Sequence, residues 1–339
     1  MKRLKILALM HRYLVPPDDV TGIDLAEVKW KTEYDVVATL IDMGHDVLEL
    51  GVESDLSVIR TAVTDWQPDI AFNLMENFDE VGTFDQNVVS YLELLRLPYT
   101  GCNPRGLVLS RDKALAKKLL AYHRIPAPDF FVVKRGRALK LPKRLDFPLI
   151  VKSLTEEASI GISQASIVDS AERLRERVEF IHTSIGTDAI VEQYIDGREL
   201  YVGIVGNDRL KVFPVWELHF TNMPDDVHRI ATERVKWSGK YQKKHGIATS
   251  AADLPDGLGP KIQHLCKRVF RALDLSGYAR IDLRLGTDGR IFVLEANANP
   301  QIAFGEDFAE SAEWAGVKYN ALLQLILNLG LKWQPGRTG

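Results

Sequence analysis

Cysteine is scarce: Cys102 and Cys266 are the only two in 339 residues, far apart and in no Cys-x-x-Cys or Cys/His pattern. That excludes a disulfide-stapled scaffold and a zinc site of the usual spacing, and it fits a reducing compartment. Charge of one sign is lacking too. Lys plus Arg number 43 against 46 Asp plus Glu, a formal net charge of −3, so no global field draws the chain to nucleic acid or an anionic membrane. The local basic run Lys134, Arg135, Arg137, Lys140, Lys143, Arg144 reads as a solvated loop. No stretch approaches the ~20 apolar residues that span a bilayer. The apolar run within Lys2–Met10 is stopped by His11 and Arg12 without a small-residue cleavage site. It reads as a buried first strand rather than a signal peptide, and the expected location is cytoplasmic. Internal repeats and low-complexity tracts are missing as well.

What is present is a globular composition, 46% hydrophobic and 26% charged, with length for two or three α/β units at roughly 100–200 residues each. Ile6–Leu9 reads as a strand. Helical spacing follows from Glu33 to Met43, a strand at Asp46–Leu50, a helix at Leu56–Trp66, a strand at Ile70–Leu74 and a helix at Val88–Leu95. This alternation predicts a parallel sheet with covering helices, a Rossmann-like first domain at residues 1–105. A second domain, 106–187, is expected to open with one helix capped by Ser110 and running through Asp112, Lys113, Lys117 and Leu120. Strands follow at Phe130–Val133 and Leu149–Lys152, then a charged helix from Ser170 to about Ile181. The third domain, 188–339, opens with a strand at Ala189–Tyr194 and closes with helices near Lys261–Leu273 and Tyr319–Leu329.

Within that third domain, two β-rich runs flank Gly286-Thr287-Asp288-Gly289, a strong hairpin signal. Side chains alternate along a strand, so Arg280 shares a face with Asp282, and Glu295 with Asn297. Folding about the turn is expected to set residue 280 opposite 295. Two carboxylates and an amide oxygen gathered on one patch repel each other unless a cation sits among them. Mg²⁺ suits such hard oxygen donors.

That hairpin and five further segments resemble the ATP-grasp superfamily and, within it, the D-alanine–D-alanine ligase family. The segments are Ser110-Arg111-Asp112-Lys113, Phe147–Lys152, Ala158-Ser159-Ile160-Gly161, Glu192–Glu199 and Lys240-Tyr241. The resemblance implies an α/β (α+β) ATP-grasp fold, a Rossmann-like N-terminal domain followed by two ATP-grasp subdomains with ATP between them. It implies that Lys113 and Lys152 contact phosphates, and that Ser159 lies in a flexible covering loop. It puts Glu192, Gln193, Tyr194 and Ile195 at adenine, with Glu199 at the ribose. Asp282, Glu295 and Asn297 would hold two Mg²⁺ ions, for which Mn²⁺ can substitute, and Arg280 would stabilise an oxyanion. Lys240 and Tyr241 would close over the substrates on a mobile loop, 236–245. The expected activity is an ATP-dependent ligase joining small-molecule carboxylates and amines through an acyl phosphate, in a homodimer. An authentic D-alanine–D-alanine ligase is an alternative, and a non-catalytic ATP-binding or sensing module is another.

The pattern departs from the family where substrates bind. The Gly-Gly-x-Ser-x-Glu turn after the first strand, whose glutamate holds the first substrate's amine, is replaced by Met10-His11-Arg12-Tyr13. Glu27 and Glu33 are the possible substitutes. Where the family has a His-Gly loop, Leu74-Met75-Glu76-Asn77 stands here, and Ala158 replaces a serine. After Asn297 the family's Pro-Gly turn and acceptor-binding serine give way to Asn299-Pro300-Gln301-Ile302-Ala303-Phe304-Gly305-Glu306-Asp307. Asn299, Gln301 and Glu306 are candidate substrate contacts. Two acids there would repel an acceptor's carboxylate, so the expected acceptor is not D-alanine.

Overall fold

The computed structural model describes residues 2–25, 28–224 and 227–335. The N-terminal sheet is parallel, in the order β2 (Asp46–Val52), β1 (Lys5–His11), β3 (Ile70–Asn73). Residues 6–10 of the central strand are wholly buried because both faces are covered, as a parallel sheet requires. On one face Ile6, Ala8 and Met10 meet α1 (Lys31–Asp42) and the last helix of the chain, through Leu40, Leu322 and Ile326. On the other, Leu7 and Leu9 meet α2 (Ser57–Trp66) and α3 (Asp85–Leu94), through Ile59, Val88 and Leu92.

Two helices follow where one was expected: α4 (Pro104–Arg111) and α5 (Lys113–Tyr122). The break falls at Asp112, whose backbone is extended and whose carboxylate accepts from Ala114 N (3.0 Å) and Leu115 N (2.9 Å). Asp112 is therefore the cap, while the Ser110 hydroxyl bonds back to the Gly106 carbonyl inside α4.

A four-stranded sheet in the order β4 (Phe130–Val133), β7 (Ala189–Gln193), β5 (Leu149–Ser153), β6 (Ile167–Val168) packs on α6 (Ala171–Phe180) through Val151, Leu174 and Val178. A five-stranded antiparallel sheet then combines β8 (Gly197–Val205), β9 (Lys211–Phe220), β10 (Ile247–Ala251), β11 (Tyr278–Gly286) and β12 (Ile291–Ala298). Its order is β10-β9-β8-β11-β12. Its helix α9 (Leu258–Ala272) supplies Ile262, Cys266 and Val269 to a core shared with the first sheet. Two short helices, α7 (Glu233–Trp237) and α8 (Gly239–His245), occupy the stretch expected to be a loop. The chain ends in α10 (Asp307–Trp314) and α11 (Tyr319–Lys332).

The hairpin register corrects one expectation. Asp282 faces Glu295, and Arg280 faces Asn297, rather than 280 facing 295. A bulge lies between Asp282 and Leu283: below it Leu283 pairs with Val293, which leaves Leu294 as the extra residue.

Helix α11 reaches the first sheet because Gly330 has no side chain. A Cβ there would stand 2.4 Å from the Tyr99 carbonyl oxygen, which is backbone and cannot swing away. Gly330→Ala is expected to lower stability by about 1–3 kcal/mol, the usual cost of overpacking a tight contact. Urea unfolding would read this as an earlier midpoint with an unchanged slope.

Candidate active site

The site is assembled around one buried anion. Glu192 on β7 is 1% exposed and lies between Lys152 Nζ of β5 at 3.1 Å and Lys117 Nζ of α5 at 3.3 Å. Burial alone would raise its carboxyl, but Lys117 and Lys152 outweigh that and hold it below its ordinary value. Burial depresses Lys117, with Glu192 opposing; for Lys152 the carboxylates of Glu192 and Glu295 overcome burial and raise it. Lys117 Nζ also donates to the Leu294 carbonyl at 3.0 Å, tying α5 to β12. One turn earlier, Lys113 Nζ donates to the Glu156 carbonyl (2.6 Å) and lies 3.8 Å from Glu295 Oε2. Lys117 was not singled out from the sequence. The signal was there, since a lysine four residues after Lys113 lies on the same helix face.

Opposite these lysines stand the hairpin carboxylates. Arg280 grips Asp282 with two parallel bonds, Nε at 2.7 Å and Nη2 at 2.9 Å, and stacks 4.7 Å from the Tyr201 ring centre. Burial raises the Asp282 carboxyl, with Arg280 opposing. Burial would raise Glu295 as well, but Lys113, Lys236, Lys152 and Arg280 together hold it at about 2. The carboxylate repulsion anticipated from the sequence is thus met by side-chain cations. The donor set fits a divalent cation with bound phosphates. Asp282 and Glu295 project from directly paired positions, Asn297 lies on the same face, and its buried Nδ2 has no partner. Among the described residues, no three His, Cys, Asp or Glu side chains gather as a metal cluster on their own.

Other candidates fall in varied places. Glu199 accepts from Arg284 Nη1 (2.7 Å) and the Tyr201 hydroxyl (3.0 Å). Arg284 also donates to the carbonyls of Ile195 (3.0 Å) and Arg229 (2.8 Å), so this buried arginine, unnoticed in the sequence, fixes the expected nucleoside segment. Gln193 is exposed and Tyr194 half-buried. The Ser159 hydroxyl donates to the Ala231 carbonyl at 2.8 Å, and Trp237 Nε1 to the Ala158 carbonyl at 3.0 Å, so the covering loop is clasped to the stretch before α8. Lys240 is exposed, and Tyr241 packs in a small apolar cluster with Trp216 and Leu218. The lysine near the hairpin carboxylates is instead Lys236, close enough to act on both Asp282 and Glu295.

At the mouth, Asn299 uses its Oδ1 to accept from Cys102 N at 2.7 Å, a structural tie. Gln301 is half-buried. Glu306 sits at the cap position of α10 without capping it, and burial followed by neighbouring Asp307 raises its carboxyl. Glu27 lies outside the described residues. Glu33, in the first turn of α1, is 5% exposed near Glu76.

Two sheets meeting over lysines and carboxylates define the ATP-grasp class. A D-alanine–D-alanine ligase of Bacillus anthracis complexed with ATP shares the fold, with a TM-score of 0.74 over 97% of this chain and 98% of that one at 23% identity. The family model for the D-ala D-ala ligase C-terminus matches residues 119–328. A D-alanine–D-alanine ligase of Desulfotalea psychrophila is 31% identical over 75% of this chain and 77% of that protein. The uncharacterized protein y4sG of Sinorhizobium fredii is 32% identical over 87% of this chain and 85% of that protein. The chain belongs to the D-alanine–D-alanine ligase family.

Glu33 gives a pH test. Burial, then Glu76, lifts its carboxyl from 4.5 to about 7, against a bond from its own backbone. The folded chain therefore holds this proton more tightly than the unfolded one, and the group's contribution to stability is lost as pH rises from about 4.5 to about 7. Glu33→Gln is expected to remove that loss, matching the parent at pH ~4.5 and exceeding it by up to roughly 3 kcal/mol at pH ~8, as read by urea unfolding.

Proposed function

We propose that the chain is an ATP-dependent ligase that joins a carboxylate to an amine through an acyl phosphate. The observation that supports this most is the convergence of Lys113 and Lys117 from α5, Lys152 from β5, and Asp282 and Glu295 from the hairpin. In the first step, the γ-phosphoryl group passes from ATP to a substrate carboxylate oxygen and ADP leaves. In the second, the amine attacks the acyl carbon, loses its proton, and inorganic phosphate departs.

Lys113 and Lys152 would offset the charge on the phosphates. Asp282, Glu295 and Asn297 would hold two Mg²⁺ ions, with Mn²⁺ as a substitute, which when bound supply charge neutralisation on the phosphates. Arg280 spends only Nε and Nη2 on Asp282. Its Nη1 donors are left for the oxyanion that forms when the amine attacks, a role typically worth ~3–4 kcal/mol of barrier. Glu192 orients the two lysines, while Arg284 holds Glu199 and Ile195 for the nucleoside. Lys236 and Trp237 fit the closing role better than Lys240 and Tyr241, because the charge of Lys236 acts on the carboxylates of Asp282 and Glu295 and Trp237 bonds the covering loop. Glu33 is a candidate for holding a substrate ammonium, being a buried carboxylate with no cationic partner among the described residues. A homodimer and a cytoplasmic location complete the reading.

A D-alanine–D-alanine ligase proper is the second reading, favoured by the names of the relatives. Glu306 and Asp307 weigh against it, since an acceptor's carboxylate would meet two acids at the start of α10. A non-catalytic ATP-binding module would have no use for Arg280.

A panel of amino acids and amines, screened for ADP and phosphate release with mass spectrometry of the product, tests the reaction. Amine-dependent release is expected, with acceptors cationic or neutral at the distal end preferred to D-alanine. Glu295→Gln is expected to lower turnover at least ~100-fold, as loss of a group that clamps the transferring phosphoryl would. Its stability should fall by up to roughly 3 kcal/mol near pH 7, because the four cations that hold the carboxyl at about 2 lose their counter-charge, while the fold itself is kept. Glu306→Ser is expected to raise kcat/KM for a carboxylate-bearing acceptor by ~10-fold, the usual scale for removing one repulsive charge. An unchanged preference would remove Glu306 from the specificity argument.

A further inference from the structure

A cavity of about 780 Å³ opens on the outer side of the five-stranded sheet, where the start of β12 meets α9 and the end of α5. It shares no lining residue with the cleft that holds Lys113, Lys152, Asp282 and Glu295. Its size lies within the ~300–1,000 Å³ typical of small-molecule sites. The walls are apolar, formed by Leu265 of α9 and by Ile291 and Phe292 of β12.

Pro126 and Pro260 complete the apolar part, and basic side chains supply the rest of the lining. Lys261, His264 and Arg268 come from α9, Arg124 from the turn after α5, and Arg290 from the hairpin, and none of the lining residues is acidic. Arg290 is neutralised by Asp288 at 2.6 Å while lying 5.2 Å from the Phe292 ring centre. Arg268 is held in place by the His123 carbonyl at 2.8 Å, with no carboxylate among the described residues paired to it. Lys261 and Arg124 make no side-chain hydrogen bond or ion pair that the described residues account for. A chain of net charge −3 therefore gathers uncompensated positive charge around an apolar hollow. Such an arrangement favours a ligand with an apolar body and an anionic end, because the walls reward desolvation and the rim rewards negative charge.

We propose that this cavity is a second binding site, for a small anionic amphiphile bearing a carboxylate or a phosphate. The inference is independent of the ligase reading. Titration calorimetry on the full chain, with octanoate and octyl phosphate as probes, tests it and separates the two head groups. One molecule per chain is expected to bind with a dissociation constant below ~1 mM, at least ~10-fold tighter than octylamine. Lys261 and His264 are exposed on α9, so the Lys261→Glu, His264→Glu double variant should fold normally, checked by its unfolding midpoint, and bind at least ~10-fold more weakly. Saturation with a non-hydrolysable ATP analogue should leave binding unchanged. Competition with that analogue, equal binding of octylamine, or indifference to the double variant would each overturn the proposal.

Discussion

Glu192 is the residue on which the architecture turns. A carboxylate buried this deeply cannot stay ionised unless cations travel with it, since desolvation costs several kcal/mol per ion. The two that do so belong to different elements: Lys152 comes from the neighbouring strand of the same sheet, Lys117 from α5. Lys117 is bonded in turn to β12 of the other sheet. One triad therefore clasps a helix between two sheets, and removing Glu192 would strand two buried lysines at a cost of about 3–5 kcal/mol. The triad carries an excess positive charge, and Lys113 adds to it one turn away. That surplus is unfavourable in an empty cleft and suits a polyanion.

The hairpin meets this cluster through the bulge. Below it, the register pairs Leu283 with Val293; continued upward without interruption, it would set Asp282 against Leu294 and Glu295 against Ile281, whose side chain is in the core. One extra residue shifts the pairing, and a shift of one moves every later side chain to the opposite face. Glu295 and Asn297 thereby join Asp282 and Arg280. The bulge also frees the Leu294 carbonyl, which Lys117 takes. A single local irregularity thus aims the carboxylates and completes the binding of α5.

Much of this was legible because period and turn chemistry are local. The alternation of strands and helices over the first sheet, the charged helix after Ser170, and the Gly286–Gly289 hairpin all follow from neighbouring residues. The bulge did not, because nothing in Leu294 distinguishes an extra residue from a paired one; it accounts for one of the two positions by which the register was misjudged, and the turn, which pairs Leu285 with Ile291, for the other. The helix break at Asp112 was visible as a capping residue, yet Ser110 competes for the same role in sequence. Lys117, Arg284 and Lys236 went unnoticed for a different reason: each acts through a partner distant in the chain, Glu192, Glu199 and Glu295 respectively. The expectation for Lys240 and Tyr241 rested on a two-residue match; Lys240 is exposed and Tyr241 packs with Trp216, while the charge of Lys236 on α7 acts on both carboxylates.

Charge divides the proposed cleft into unlike ends, and the division constrains the second substrate. At the phosphate end, lysines outnumber their partners. At the mouth, Lys31 is occupied by Asp35 (2.9 Å) and the Phe304 carbonyl, Arg280 is engaged by Asp282, and Glu306 and Asp307 fill the positive end of α10. A helix N-terminus can hold a carboxylate, but here the chain's own acids are there first. Burial, and after it neighbouring Asp307, make the charge on Glu306 costly, and a ligand cation would relieve that cost. Such a cation cannot be the nucleophile, because an ammonium has no lone pair with which to attack. An acceptor that satisfies Glu306 as a cation must therefore carry a second, neutral amine to reach the carbon that Arg280 faces. On the reading proposed above, a cationic acceptor would separate its docking charge from its reacting nitrogen, which a simple α-amino acid acceptor, with its carboxylate in that place, does not.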